Sequence, residues 1–530
     1  MFRLRFVFMM ILIVSGLQVF AAPPTVSRAT TFYTEPVDEE GYVDYVAALN
    51  ADFGDPAIQP ENNVYVGLLE LADTSQWDSI YLTSLSKRLG VPLNKLNKNR
   101  LRLILFERFA KAHHLDPQAM DQQVDAAMQE GSWTDAQLPL LAQWLEQMNP
   151  VLDEAMRAIE REDYFAPLVM TEDDRLIYTI ALPHLVHHDL VVRSFVIRSH
   201  HDLAQGNLDR PVATYLALRR LARLQRGEPV LVSNFVGISI DRLASRLCRT
   251  LLNRSDLTRA HVQHMVAGIA ALPARATTHR ALHRADRACA LQAFQAVERG
   301  HPAISDEQRG KFDPLSLLEK VMVAQRFDMD RALGRVNAMF DDMPGDNPLL
   351  AYRELVDQIE AYEHRLDQSH DRDIDFMANL LVETLPHEDM PVPSAMSKLV
   401  GTSPLEDLSV EEVTDITVDL VLGPFNSNIG LLALRAERQG MAFDELTAIG
   451  LALAAYRFDH GAYPQALDAL SPTYLDVIPV DFATGEPLKY RLQDGGYLLY
   501  SVGKDFEDDG GVDDPSQGDF VIQVGQTQTR

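Results

Sequence analysis

The chain has 530 residues, with 48 Lys+Arg against 76 Asp+Glu, a formal charge of −28, and 46% of its residues hydrophobic. At roughly 150 residues per domain this allows about three domains, or one long helical array with an appendage, and the composition excludes a disordered chain, a collagen and a polytopic membrane protein. The acidic balance argues against general nucleic-acid binding, which needs Lys and Arg to displace phosphate counterions.

Residues Met1 to Ala22 carry Arg3 and Arg5, then the apolar stretch Phe6 to Leu17, then the small-residue cleavage site Val19-Phe20-Ala21. That is the pattern of a secretory signal peptide. Ser15, Gly16 and Gln18 interrupt the run before the ~20 apolar residues that a membrane anchor needs. Residues 1–22 are therefore expected to be removed, leaving a mature chain with no transmembrane span, in the periplasm or outside the cell.

From about Pro36 to Gly440 one pattern recurs: a cap, a segment with apolar residues at three-four spacing, then a breaker. Asp116-Pro117 and Asn149-Pro150 each predict a helix start. Thr134 and Gln137 fit a capping box. Asp209 precedes a helix that stops near Gly227, Ser255 precedes one ended by Pro273, and another is predicted from Ala276 to Arg299. No fixed repeat of about 34 or 40 residues is found, so the prediction is an irregular all-α helical array rather than a regular solenoid.

Residues 201–300 hold 15 Arg, no Lys and 7 acids. The guanidinium fork suits an anionic ligand or partner, but the helical spacing of these arginines favours outward faces that pair with acids elsewhere in the chain. His184, His187 and His188 share a helix face, His200-His201 follow, and His279 and His283 have the i, i+4 spacing of metal-binding helices, yet none has the glutamate of a zinc-protease helix. Ser84 and Lys87 lack any partner motif, and phosphate-loop, Gly-x-Ser-x-Gly and dinucleotide patterns are absent, so no catalytic residue is assigned. Cys248 and Cys289 leave two readings open: a disulfide, which export would permit, or two buried free thiols.

At about Met441 the pattern changes. A helix with Leu446, Ile449, Leu451, Leu453, Ala454 and Tyr456 on its apolar face gives way to short segments and turns, with strands predicted at 488–492 and 497–502 around the Asp494-Gly495-Gly496 turn. Residues 503–514 then place Asp505, Glu507, Asp508, Asp509, Asp513 and Asp514 around Gly510-Gly511. Crowded carboxylates repel one another unless solvated or neutralised, and Ca²⁺ takes hard oxygen ligands in flexible geometry. An EF-hand is excluded, because its twelfth position would be Ser516.

Residues 445–515 resemble the soluble head of the major pseudopilins of type II secretion. The resemblance rests on Gly461, Tyr463, Pro464, Leu467, Leu470, Ile478, Pro479, Asp481, Gly485, Pro487, Tyr490, Gly495, Tyr497, Tyr500, Ser501, Gly503 and Asp505. It implies a helix packed on a small antiparallel sheet, with a calcium-binding loop. The chain departs from the family in having an ordinary signal sequence and a long insertion before the head, and Arg435, Glu437, Arg438 and Gln439 bar the preceding helix from a membrane.

The expected fold class is mainly α: the helical array at 23–440, then a C-terminal α+β module at 441–530 with an acidic loop and a flexible tail. The expected function is that of an exported, non-enzymatic envelope or interaction protein whose partner is another envelope protein. Its cofactor would be a structural Ca²⁺ held by Asp505, Asp508, Asp509 and Asp513, with Glu507 and Asp514 as further ligands. The alternatives are an exported hydrolase with a metal or Arg/His site among the helices, and an accessory component of a secretion or pilus system.

Overall fold

The computed structural model describes residues 23–54, 58–98, 102–129, 131–171, 176–177, 180–299, 327–343, 354, 356–361, 409–415, 417–418, 429–493, 495–503, 506–512 and 518–525. The signal-like residues 1–22 lie outside that set. The described chain is mainly α, with a three-stranded antiparallel sheet near the C-terminal end.

Local rules account for several helix ends. Asp116 caps Pro117–Met128 by accepting from the Gln118 N–H at 3.0 Å, and Pro117 occupies the first turn, where its missing N–H removes no helical bond. Tertiary packing overrides them elsewhere. Pro139–Ile159 runs through Pro150, so Asn149-Pro150 opens no helix. Trp144, Leu145, Met148, Val151, Leu152 and Ala155 form one buried face across the proline, and that packing outweighs the hydrogen bond it deletes. Thr134 does bond Gln137, N–H to Oε1 at 2.8 Å, but this closes a turn ahead of Pro139. The helix expected from Ser255 is Arg259–Ala270, capped by Thr258. The segment expected as one helix from Ala276 to Arg299 is Thr278–Ala281 and Arg287–Glu298, joined by a π-helical turn at Leu282–Asp286.

Two large hydrophobic clusters organise the helices. The first runs from Val64 and Leu68 through Trp144, Phe195, Tyr215 and Leu247 to Leu453, Leu499 and Ile522. The second gathers Tyr45, Leu49, Phe294, Leu333 and Phe340. The Ile429–His460 helix, about 48 Å long at 1.5 Å per residue, serves both. Ala433 and Leu434 enter the second cluster, while Leu446, Ile449 and Leu453 enter the first. This long helix passes residue 441 without interruption, so the helical region and the C-terminal module share one rod.

The strands are β1 Lys489–Gln493, β2 Gly496–Ser501 and β3 Phe520–Val524, in the order β1-β2-β3, with Leu499 opposite Tyr490 on one side and Ile522 on the other. The first two form the expected hairpin. The third stands where a flexible tail was expected, built from the β-prone run Phe520-Val521-Ile522. Tyr497, Leu499, Ile522 and Val524 join the first cluster, whereas Leu498, Tyr500 and Val521 form a separate cluster, the division that alternation along a strand imposes.

A buried lattice of charges holds the long helix to the Asp209–Gln225 and Leu231–Leu252 helices. Arg219 pairs with Asp241 at 3.1 Å and with Asp444, and donates to Ser245 Oγ at 2.9 Å. Arg226 pairs with Glu437 and approaches Asp241 at 3.9 Å. Glu437 also accepts from the Thr278 N–H at 3.1 Å, and Arg275 reaches Asp444. Arg226→Ala strands Glu437 and is expected to cost about 3–5 kcal/mol in urea unfolding. Amide exchange should then accelerate in both the Leu231–Leu252 helix and the long helix; a loss of under about 1 kcal/mol would match a surface pair instead.

Candidate functional site

The first turns of Pro183–Ala204 carry His184, His187 and His188 into the core, where each finds a separate partner. His187 Nε2 meets the Leu68 carbonyl at 2.9 Å, His188 Nδ1 meets Gln225 Oε1 at 2.6 Å, and His184 Nε2 meets Glu228 Oε2 at 3.1 Å. Burial pushes His187 down to about 3 and His188 down to about 4, so both are neutral at physiological pH. His279 and His283 stack with ring centroids 3.7 Å apart, and burial lowers His283 to about 4. Among the described residues no three His, Cys, Asp or Glu side chains converge as a metal-holding group.

Glu228, which the sequence did not single out, is the hub of this network. Its buried carboxylate also accepts from Tyr164, Gln225 and Ser233. Burial alone would raise its pKa, but the interactions with His184, Ser233 and Tyr164 outweigh that and hold it below the ordinary glutamate value. A lone glutamate in the turn at 226–229 gives no sequence signal for four converging donors.

Some of the arginines of 201–300 pair with acids, several of them inside the protein, while others such as Arg220 and Arg249 donate to backbone carbonyls. Arg219, Arg226 and Arg287 are buried rather than outward, with Arg287 reaching Asp341 at 2.5 Å. Arg284 pairs with Asp52 at 2.6 Å, and Arg259 with Asp459, nearer the surface. Cys248 and Cys289 are free thiols, the first inside one hydrophobic cluster and the second packed against the other.

The acidic segment lies near the Leu498 face of the sheet. Asp508 Oδ1 accepts from the Tyr500 hydroxyl and from the Gly510 N–H, each at 3.0 Å, and Lys489 Nζ stands 3.7 Å from Asp508 Oδ2. Gly511 has φ +87°, and a Cβ there would meet Leu498 at 2.6 Å, so the close approach requires glycine. Glu507, Asp508 and Asp509 are exposed, while Asp505, Asp513 and Asp514 lie outside the described residues.

Asp519 joins this group although the sequence reading did not include it. It is 0% exposed, its Oδ2 accepts from the Gly511 N–H at 2.6 Å, and its Oδ1 is buried with no hydrogen-bond partner among the described residues. Burial, and behind it the charges of Asp508 and Asp509, hold it above the ordinary aspartate value. Its offset from the 503–514 run hid it.

The turn residues that mark the module also have visible tasks. Asp481 accepts from Ala483 N–H at 2.8 Å and Val502 N–H at 2.9 Å, and Tyr490 donates to the Pro464 carbonyl at 2.8 Å. These bonds tie the Ile-Pro-x-Asp turn and the Gly-x-Tyr-Pro loop to the hairpin.

No protein family, no curated protein and no solved structure matches this chain. No helix among the described residues is long and apolar enough to cross a membrane.

One junction residue responds to pH. Glu445, on the long helix, is pushed up to about 7 by burial against the opposing pull of Arg438 and Arg275. Unfolded glutamate titrates near 4.3, so the stability tied to its neutral form is complete below that value and is lost as pH rises through about 7. Glu445→Gln should therefore melt with the wild type near pH 4 and several degrees above it near pH 8.5. Equal melting temperatures at the higher pH would disprove a buried, proton-holding Glu445.

Proposed function

We propose that this chain is an exported, non-enzymatic interaction protein of the cell envelope whose C-terminal module carries a structural calcium ion and resembles a pseudopilin head. The observation that carries the reading is the Asp519 carboxylate, fully buried with one oxygen unshared beside the exposed Asp508 and Asp509. Such an oxygen is costly to bury unless something binds it, and a hard cation suits a site of carboxylates. The residues that would hold the ion are Asp505, Asp508, Asp509 and Asp513, with Glu507 and Asp514 as further donors and Asp519 beneath them; the described acids alone form no metal-holding group, so the reading requires Asp505 and Asp513, which lie outside the described residues. A bound ion would neutralise the loop and fasten it over the outer face of the sheet. Lys489 beside Asp508, and Arg491 donating to the Gly510 carbonyl at 3.0 Å, supply positive charge there already, yet neither reaches the buried Asp519 oxygen within ion-pair distance among the described residues.

Calorimetry in millimolar Ca²⁺ and in chelator tests this. Calcium at a hundred times its Kd should add about 2.7 kcal/mol, and Asp519→Asn should remove most of that gain. Superimposable melts with and without the ion would end the calcium reading.

The exported location rests on the Arg3, Arg5 and apolar stretch of residues 1–22. Expression of the full chain in a Gram-negative host should yield periplasmic or secreted protein starting near Ala22 or Pro23. An intact Met1 in the cytosolic fraction would contradict export.

A further inference from the structure

Between the two large hydrophobic clusters lies a cleft of about 330 Å³, at the small end of ligand-binding volumes. Four chain segments line it, around Phe53, Asp163, Arg223 and Arg280. The two arginines differ from the lattice described above, because among the described residues neither has a carboxylate within ion-pair distance. Backbone carbonyls hold them instead. Arg223 Nη1 donates to Pro273 O at 2.7 Å, and Arg280 Nη2 donates to Asp52 O at 3.1 Å.

The Arg280 guanidinium lies 4.3 Å from the centre of the Phe53 ring, and Arg223 Nε is buried with no hydrogen-bond partner among the described residues. A guanidinium braced by carbonyls and an aromatic face keeps its remaining N–H groups oriented with little entropy left to lose on binding. Both therefore suit an incoming carboxylate.

The same cleft presents acids. Glu162 and Asp163 line it, whereas Glu228, which also lines it, already accepts four hydrogen bonds within the protein. Phe53, Ile58 and Phe165 supply apolar surface.

We propose that the cleft binds a small amino-acid-like zwitterion with an apolar side chain, its carboxylate on Arg223 and Arg280, its ammonium on Asp163 or Glu162, and its side chain against Phe53 and Phe165. Paired opposite charges on the ligand suit a cavity whose two arginines and two acids not already engaged, Glu162 and Asp163, form no ion pairs with one another among the described residues. A purely anionic ligand would face Glu162 and Asp163, and a purely cationic one would face both guanidiniums. No residue is shared with the acidic loop, so the two proposals stand or fall separately.

L-Phenylalanine is the probe, titrated into the full chain by calorimetry beside phenylacetate, which lacks the ammonium, and phenethylamine, which lacks the carboxylate. Each deletion should weaken binding about ten-fold or more, the value of one charge-assisted contact. Arg280→Gln should abolish the advantage of L-phenylalanine over phenethylamine, and Asp163→Asn should reduce its advantage over phenylacetate. Melting of the unliganded variants separates a lost contact from a lost fold, and Arg223→Gln provides a second variant on the carboxylate side. Absence of heat and of any melting shift with millimolar L-phenylalanine would overturn the proposal, as would equal affinity for the three probes or unchanged affinity in both arginine variants.

Discussion

The position of the long helix depends on a few guanidinium groups that are almost wholly buried. Arg219, on the Asp209–Gln225 helix, and Arg226, just past its end, meet Asp241 from the next helix and Asp444 and Glu437 from the long helix. Removing ions from water costs several kcal/mol each, so such a lattice contributes little net stability over apolar packing. Its effect is selective: a rotation of the long helix would uncouple Glu437 and Asp444 together, leaving buried charge on both sides. Leucines at helical spacing tolerate such slippage far better than fixed charges do.

That constraint matters because the long helix belongs to both hydrophobic clusters. Its N-terminal half packs with Phe294 and Leu333, and its C-terminal half carries the sheet. The lattice sits between those halves, at residues 437 and 444. Fixing the rod at its middle fixes the direction in which β2 and β3 are presented.

Much of this was legible from spacing. The mainly α character, the hairpin and its glycine turn, and the apolar face at Leu446, Ile449 and Leu453 all follow from local periodicity and turn chemistry. What escaped detection depended on partners distant in sequence. Pro150 reads as a start signal because Asn149 before it is a capping residue and proline suits a first helical turn, yet Trp144 and Leu152 are packed on the same core. The arginines read as surface residues because the sequence does not reveal that Glu437 and Asp444 lie across from them. Glu228 and Asp519 carry no local signature at all, since their significance is created by donors or carboxylates from other segments.

The sheet explains why the acidic segment is more than a solvated run. β2 is buried along its whole length, which requires cover on both faces. The long helix covers one. The other has Leu498 touched by Gly511 and Tyr500 bonded to Asp508, so a stretch rich in carboxylates lies over apolar side chains. Charge repulsion pushes that segment outward while Leu498, Tyr500 and Val521 gain by keeping it in place. Asp519, the residue before β3, accepts from the Gly511 N–H, anchoring the loop from beneath at the cost of burying a carboxylate among other acids. The opposition between apolar cover and like charge is local to this outer face of the module, and Asp519 is the acid that the cover buries.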